Sequence, residues 1–389
     1  TLKTLKGHIA VGHVRYSTTG SNSVVNAQPL MFHYLKGTLA IAHNGNLTNA
    51  AKLRKALAHN GSVFQSSSDT EIFVNLLARY GQDSIEEALM KCMIDVKGAY
   101  SLVLMSENKL IGMRDPYGVR PLCLGRLGDA WILSSESCAI DNIGAELVRD
   151  VEPGEIVVID EGGMRSLRPM ASPRRALCTF ELVYVARPDS VIDGVSVNGV
   201  RRAMGRKLYE ECPVEADCVI PVPDSGIAAA LGYAEASGIP YKLGLMKNRY
   251  IGQTFIQPTQ EMLDIAVSLK LNPIREVLED RTVVLVDDSI VRGTTSRKIV
   301  MMLRKAGVKK IHLVVCSPEI HHSCYYGIDT SDQEELLAHR MGLEEMCEHI
   351  GVDSLYFLSQ EGMLSACGRD PGDFCTACFD GCYPVEVTD

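Results

Sequence analysis

The sequence has no basic surplus. Lys plus Arg number 39 against 48 Asp plus Glu, a net charge of −9. Phosphate-backbone binding needs a cationic footprint, so nucleic acid and anionic membrane surfaces are set aside as main partners. No apolar run approaches the ~20 residues of a spanning helix. The opening Thr1-Leu2-Lys3-Thr4-Leu5-Lys6-Gly7-His8 is polar and does not read as a signal peptide. Internal repeats and low-complexity tracts are also missing. What is present is a chain of 389 residues, room for two or three domains, with 46 % hydrophobic and 22 % charged residues. Thirteen cysteines stand out. Scattered over this length they do not resemble a secreted disulfide scaffold, and a reducing compartment is the expectation.

Two halves differ in rhythm. In residues 1–165 short apolar runs (38–42, 100–105, 130–133, 155–159) alternate with turns, and helical spacing recurs near 48–59 and 69–80, with Asp69 as an N-cap. That pattern predicts an α+β domain. Residues 163–178, with Gly163, Pro169, Pro173 and four arginines, read as a surface linker. Strand-like 218–222, 283–286 and 311–315 then alternate with helical patterns at 198–211, 226–237 and 294–306, the βαβ signature of a parallel sheet. Residues 331–366 read as helical, followed by a Gly/Cys-rich tail. The domains expected are 1–165, 166–330, and a C-terminal region, 331–389, packing on the second.

The most specific local signal is Val283-Val284-Leu285-Val286-Asp287-Asp288-Ser289-Ile290-Val291-Arg292-Gly293-Thr294-Thr295-Ser296. A buried strand ends in two carboxylates, and a hydroxyl-rich loop opens a helix whose free N–H groups and dipole suit phosphate. Gly293 lets backbone approach closely, and Thr294, Thr295 and Ser296 add donors. The acidic pair repels a bare phosphate but suits a ligand with hydroxyls or Mg²⁺, as a phosphorylated sugar has. A capped turn with solvated aspartates is the bland alternative. The segment is neither G-x-x-x-x-G-K-[ST] nor G-x-G-x-x-G, so nucleotide triphosphatase and Rossmann readings lose their motif.

This segment resembles the phosphoribosyl-diphosphate (PRPP) loop of type I phosphoribosyltransferases, and in wording it resembles the amidophosphoribosyltransferase family, which opens purine synthesis. Pro221-Val222-Pro223-Asp224-Ser225-Gly226, Ala186-Arg187-Pro188-Asp189-Ser190 and Lys247-Asn248-Arg249-Tyr250-Ile251-Gly252-Gln253-Thr254 agree, and the likeness runs from Gly12 to Pro384. The resemblance implies that Asp287 and Asp288 contact ribose hydroxyls and Mg²⁺, with Ser225 a further Mg²⁺ position. It places PRPP against Ser289, Arg292, Gly293, Thr294, Thr295, Ser296, Lys247, Arg249 and Tyr250. Residues 247–254 match a loop that closes over PRPP, with Gln253 where arginine is commoner. Ammonia would displace pyrophosphate at C1 through an oxocarbenium-like state, which calls for charge neutralisation and exclusion of water.

Gly12-His13-Val14-Arg15-Tyr16-Ser17-Thr18, His43-Asn44-Gly45-Asn46-Leu47 and Ser67-Ser68-Asp69-Thr70-Glu71 resemble the family's glutaminase domain, an N-terminal-nucleophile fold. The resemblance implies that Arg15 pairs with the glutamine carboxylate, Asp69 holds its ammonium, and Asn44 with the Gly45 N–H forms the oxyanion hole. Singly, these are a surface arginine, a helix cap and an Asn-Gly turn. The family's nucleophile is an N-terminal cysteine lying several dozen residues before the Gly-His-Val-Arg segment. Residue 1 here is threonine and matches the domain's interior, so the expectation is no glutamine hydrolysis from the chain as written and at most ammonia-dependent amination.

Cys375-Thr376-Ala377-Cys378 alone is open between redox, zinc and iron–sulfur use. A thioredoxin-type site wants C-x-x-C at a strand-to-helix junction within a βαβ pattern, which the tail lacks. The resemblance adds Cys178 and Cys324 as partners in the family's iron–sulfur branch, a structural [4Fe–4S] cluster on four thiolates, with zinc on the same ligands as the alternative. His321, His322, Cys382 and the remaining cysteines read as ordinary loop or packing residues. A non-catalytic PRPP-binding regulator is the second functional reading, but it leaves the glutamine-site motifs without use. A different glutamine amidotransferase would lack the Asp-Asp-Ser loop. The family also implies purine nucleotides as feedback inhibitors near Lys247 and Arg249, a homotetramer, and a cytoplasmic or plastid setting.

Overall fold

The computed structural model describes residues 6–15, 23–170, 172–248, 271–330 and 332–388. Its first half is built on a six-stranded antiparallel sheet in the order Leu30–Tyr34, Gly37–Leu47, Gly98–Met105, Leu110–Arg114, Ile156–Asp160, Gly163–Leu167. Leu39, Ile41, Leu102, Leu104, Ile111 and Met113 turn to one face and meet Ile72, Phe73, Leu76 and Leu89. Those residues come from the helices Thr70–Arg79 and Ile85–Asp95. Leu122, Leu124, Val151 and Val157 form a smaller core on the opposite face, where the three-stranded sheet of Cys123–Leu127, Ala130–Ser134 and Glu146–Asp150 packs. Period-two burial on both faces gives a helix/sheet/sheet stack, the α+β layering expected.

The second half is a parallel four-stranded sheet in the order Cys218–Pro221, Thr282–Asp287, Lys310–Val315, Ser354–Phe357. Val284, Val286 and Val314 face Met204, Ala229 and Tyr233. Val283, Leu285, Ile311 and Leu313 face Ile299, Leu303, Met346 and Ile350. Helices therefore cover both faces, as a parallel sheet requires. Helices Val197–Glu211 and Ile227–Ser237 cross backbone to backbone at two glycines. A Cβ on Gly205 would sit 1.9 Å from the Ala229 carbonyl oxygen, and one on Gly232 would sit 2.0 Å from that of Arg202.

Several local expectations are corrected. Residues 331–366 are not continuously helical. Ser354–Phe357 is the fourth parallel strand, between the helices Leu343–Ile350 and Gln360–Ala366. Four residues fully inside a helical-looking stretch carry too little period to reveal a strand. The 163–178 segment is only in part a surface linker. Gly163–Leu167 pairs with Ile156–Asp160, and Ala176, Leu177 and Cys178 are buried. Helix Ile85–Asp95 escaped the sequence reading, although Ser84 and Glu87 form the capping box that announces it. The tail returns to the first half, where Thr48 Oγ1 donates to the Glu386 carbonyl at 2.7 Å and the Thr388 N–H donates to that of Thr48 at 3.2 Å.

The helix crossing yields a stability test. Gly205→Ala forces two backbones apart, so it should destabilise by about 2–3 kcal/mol, the upper range for overpacking, read as a lower denaturation midpoint in urea. An unchanged midpoint would show that the crossing is not tight.

Candidate functional site

The amide residues converge on one strand. Gly37–Leu47 runs straight through Asn44-Gly45, with Asn44 opposite Ser101 and Gly45 opposite Tyr100. The Asn-Gly pair is therefore not a turn. Gly45 has φ +136°, and a Cβ there would lie 2.0 Å from the Ala99 carbonyl oxygen, so glycine is demanded twice over. Asn44 Oδ1 accepts from Arg120 Nη2 at 2.9 Å. Asp69 occupies the N-cap position of Thr70–Arg79, yet its side chain does not cap the helix. Its Oδ2 instead accepts the Leu47 N–H at 3.0 Å, and Oδ1 lies 3.6 Å from His43 Nδ1. Burial pushes its carboxyl up, but the facing His43 and the N–H groups of Leu47 and Thr70 outweigh this and hold it below the usual range. Asp69 is therefore an ionised, buried carboxylate held against His43 and the Leu47 N–H. Arg15 is half-buried. Burial first, and then the charges of His43 and Arg15, lower the His13 imidazole, so His13 stands within electrostatic reach of His43. Tyr16, Ser17 and Thr18 of that motif lie outside the described residues.

The phosphate loop sits at the carboxyl end of the second parallel strand. Asp287 closes Thr282–Asp287, and both Asp287 and Asp288 are buried. Asp288 Oδ1 accepts from Ser225 Oγ, and Oδ2 accepts from Ser289 Oγ at 2.6 Å. Asp287 Oδ1 accepts the Asp288 N–H at 3.0 Å. Burial pushes both carboxyls up, and the Asp288 charge pushes Asp287 well up. A cation at the pair would reverse that. Gly293, at φ +73°, opens helix Thr294–Lys305, where Thr294 and Thr295 are exposed and Ser296 is buried. A Cβ on Gly293 would also lie 2.6 Å from Leu337 Cδ2. Arg292 pairs with Glu335 at 2.6 Å, and Lys247 pairs with Asp224. Arg249, Tyr250 and Gln253 lie outside the described residues.

Cys178, Cys324, Cys375 and Cys378 line one small cavity of ≈ 20 Å³, with Phe180, Ile320, Tyr326 and Ile328 among its other walls. Three segments build it. Leu177–Cys178 pairs in parallel with Phe374–Cys375, so two of the thiols stand in register. The N–H groups of His321 and His322 both donate to the Cys378 carbonyl at 3.1 Å. Among the described residues no three His, Cys, Asp or Glu side chains sit close enough to hold a single ion. Burial raises all four thiols, Cys178 to about 12. The donor set is soft sulfur in an apolar wall, which fits an iron–sulfur group and not a hard cation. All thirteen cysteines are unpaired thiols.

Sequence reasoning missed Arg114, Asp115, Arg120, Glu181 and Asp193. All are charged and nearly fully buried, and hydropathy assigns such residues to the surface. Locally, Asp115-Pro116-Tyr117-Gly118 carries only Pro-Gly turn chemistry.

Comparison with known proteins matches residues 13–142 to the glutamine amidotransferase domain family and residues 196–327 to the phosphoribosyl transferase domain family. Amidophosphoribosyltransferase of Bacillus subtilis is 49 % identical over 99 % of this chain and 82 % of its own length. That of Methanocaldococcus jannaschii is 49 % identical over 100 % and 85 %. A solved structure titled as the B. subtilis glutamine PRPP amidotransferase complexed with ADP and GMP superposes with a TM-score of 0.90. It is 48 % identical and covers 97 % of this chain and 83 % of that one. Both halves, in this order and over nearly the whole length, place the chain in the amidophosphoribosyltransferase family.

Proposed function

We propose that the protein makes 5-phosphoribosylamine, the first step of purine synthesis. The family's reaction turns PRPP, glutamine and water into phosphoribosylamine, pyrophosphate and glutamate, and the part this chain's own assigned residues carry is the ammonia-driven one, since none of them is assigned as the glutaminase nucleophile. The observation that carries this reading is the buried Asp287–Asp288 pair directly before the left-handed Gly293 and the helix Thr294–Lys305, in a chain that also aligns Asn44, Gly45 and Asp69. In the transferase half, Ser225, Asp287 and Asp288 would hold Mg²⁺, which offsets charge on the departing diphosphate. The helix N-terminus takes the 5′-phosphate through Thr294, Thr295 and Ser296. Arg292 and Lys247 are held in ion pairs in this structure and would exchange carboxylate for phosphate when PRPP arrives. In the amide half, Arg15 and Asp69 would fix the two ends of glutamine, and Asn44 with the Gly45 N–H would stabilise the oxyanion formed when the family's N-terminal cysteine adds to the side-chain carbonyl, before the C–N bond breaks and ammonia leaves.

The four thiols Cys178, Cys324, Cys375 and Cys378 would hold a [4Fe–4S] cluster, whose role is to cross-link chain segments. The all-sulfur donor set in an apolar wall supports that reading, with zinc on the same four thiolates as the alternative. Regulation by purine nucleotides, a homotetramer and a cytoplasmic setting belong to the same reading. The ADP and GMP named for the solved relative support the first, and thirteen unpaired cysteines support the last. Among the described residues no helix is long and apolar enough to cross a membrane.

Two tests follow from this reading. With PRPP, Mg²⁺ and ammonium, the protein should release pyrophosphate, and Asp287→Asn should cut that rate by about 10²-fold or more. Both aspartates are disfavoured as charged groups, so in Mg²⁺-free buffer their ionisation costs stability as pH rises above the unfolded carboxylate value of about 3.9. The same substitution should therefore raise the metal-free melting temperature at pH 7. Full activity in the variant, or none in the parent, contradicts the site. Anaerobically purified protein should be brown, with about four irons and four sulfides per chain, and should lose them in Cys324→Ser. Colourless protein carrying zinc would overturn the cluster.

A further inference from the structure

Asn44 can present either end of its amide, and only the Nδ2 end donates to a developing oxyanion. Arg120 decides which end is presented. A guanidinium has donors and no acceptor, so its Nη2, 2.9 Å from Asn44 Oδ1, holds the oxygen and turns Nδ2 the other way. The cation also polarises the amide, which makes Nδ2–H a stronger donor. Arg120 is itself immobile. Its carbonyl accepts from Arg114 Nε at 2.8 Å and from Ser101 Oγ at 3.1 Å. Its Nη1 lies 3.1 Å from Glu181 Oε1, three residues after Cys178, and both groups are buried. Among the described residues, Arg120 Nε and Nη1 make no hydrogen bond. The oxyanion strand also rests on the loop after Cys324. Asn46 Nδ2 donates to the Tyr325 carbonyl at 2.9 Å, and a Cβ on Gly327 would lie 3.0 Å from the Gly45 carbonyl carbon.

We propose that Arg120 is a positioning residue for amide hydrolysis, locking Asn44 with its N–H toward the substrate oxygen and anchoring that lock to the transferase half through Glu181. The inference rests on the proposed function. Arg120→Met and Arg120→Lys would be compared with the parent in a form carrying the family's N-terminal cysteine, with glutamine hydrolysis and ammonia-driven pyrophosphate release measured side by side. In Arg120→Met the kcat for glutamine hydrolysis should fall about 10²-fold, with KM for glutamine within about threefold, because the lost interaction belongs to the transition state. Ammonia-driven synthesis should hold, and Arg120→Lys should recover part of the loss. An unchanged kcat, a rise in KM alone, or equal losses of both activities would overturn the assignment. No ammonia-driven turnover in the parent would instead refute the proposed function. A second readout needs no turnover. The Asn44 side-chain amide resonance in a ¹⁵N spectrum should shift and lose exchange protection in both variants, and an unmoved resonance would equally overturn the proposal.

Discussion

The buried pair between Arg114 and Asp193 holds the frame on which both sites hang. Arg114 is fully buried and every one of its nitrogens donates. Nε reaches the Arg120 carbonyl, Nη1 reaches the Val151 carbonyl and Asp193 Oδ1, and Nη2 reaches the Gly118 carbonyl and Asp193 Oδ2. Burial opposes the ionised form of each group, and the partner outweighs it, raising the guanidinium and lowering the Asp193 carboxyl. A pair this deep contributes little net stability, but removing one partner strands a charge at a cost of about 3–5 kcal/mol. Its value is specification. Asp193 comes from an Asp-Gly hairpin between Val191–Ile192 and Val195–Ser196, with φ +47° and +78° at the two turn residues. That hairpin directly precedes helix Val197–Glu211 of the transferase half.

Beside it, Asp115 does for the backbone what Arg114 does for the halves. Its carboxyl accepts the N–H groups of Tyr100, Tyr117 and Val119 at 2.9–3.3 Å. Residues 115–120 are therefore held by the Asp115 carboxyl together with backbone bonds from Ala176 and Cys178 to the Tyr117 and Val119 carbonyls, and Arg120 leaves this turn with its guanidinium on Asn44. The same economy governs the other centre. Ser225 and Ser289 fix Asp288, while Gly293 aims a helix N-terminus at the same spot. In both places glycine supplies backbone shape, and buried charge supplies chemistry that burial alone opposes.

This division explains what the sequence disclosed. The parallel strands at 218, 283 and 311, their helices and the Asp-Asp-Ser loop were legible because hydrophobic period and loop chemistry are local. The strand Ser354–Phe357 was not, since four residues gain strand character only by pairing with Lys310–Val315. Asp69 looks like a helix cap from its neighbours, and only the approach of Leu47 shows where its carboxylate goes. Asn44-Gly45 reads locally as a turn and is made a strand by Gly98–Met105. The Arg114–Asp193 and Arg120–Glu181 pairs span 79 and 61 positions in the chain. Nothing in local composition marks such partners.

One buried charge network joins the Asn44 strand to the transferase half. Native-state hydrogen exchange on the protein and on Asp193→Asn tests it most directly. Protection should fall together at residues 191–196, in the 115–120 turn and across Asn44-Gly45, while the far strand Ser354–Phe357 stays protected. Loss confined to the 191–196 hairpin, with Asn44-Gly45 as protected as before, would contradict the account.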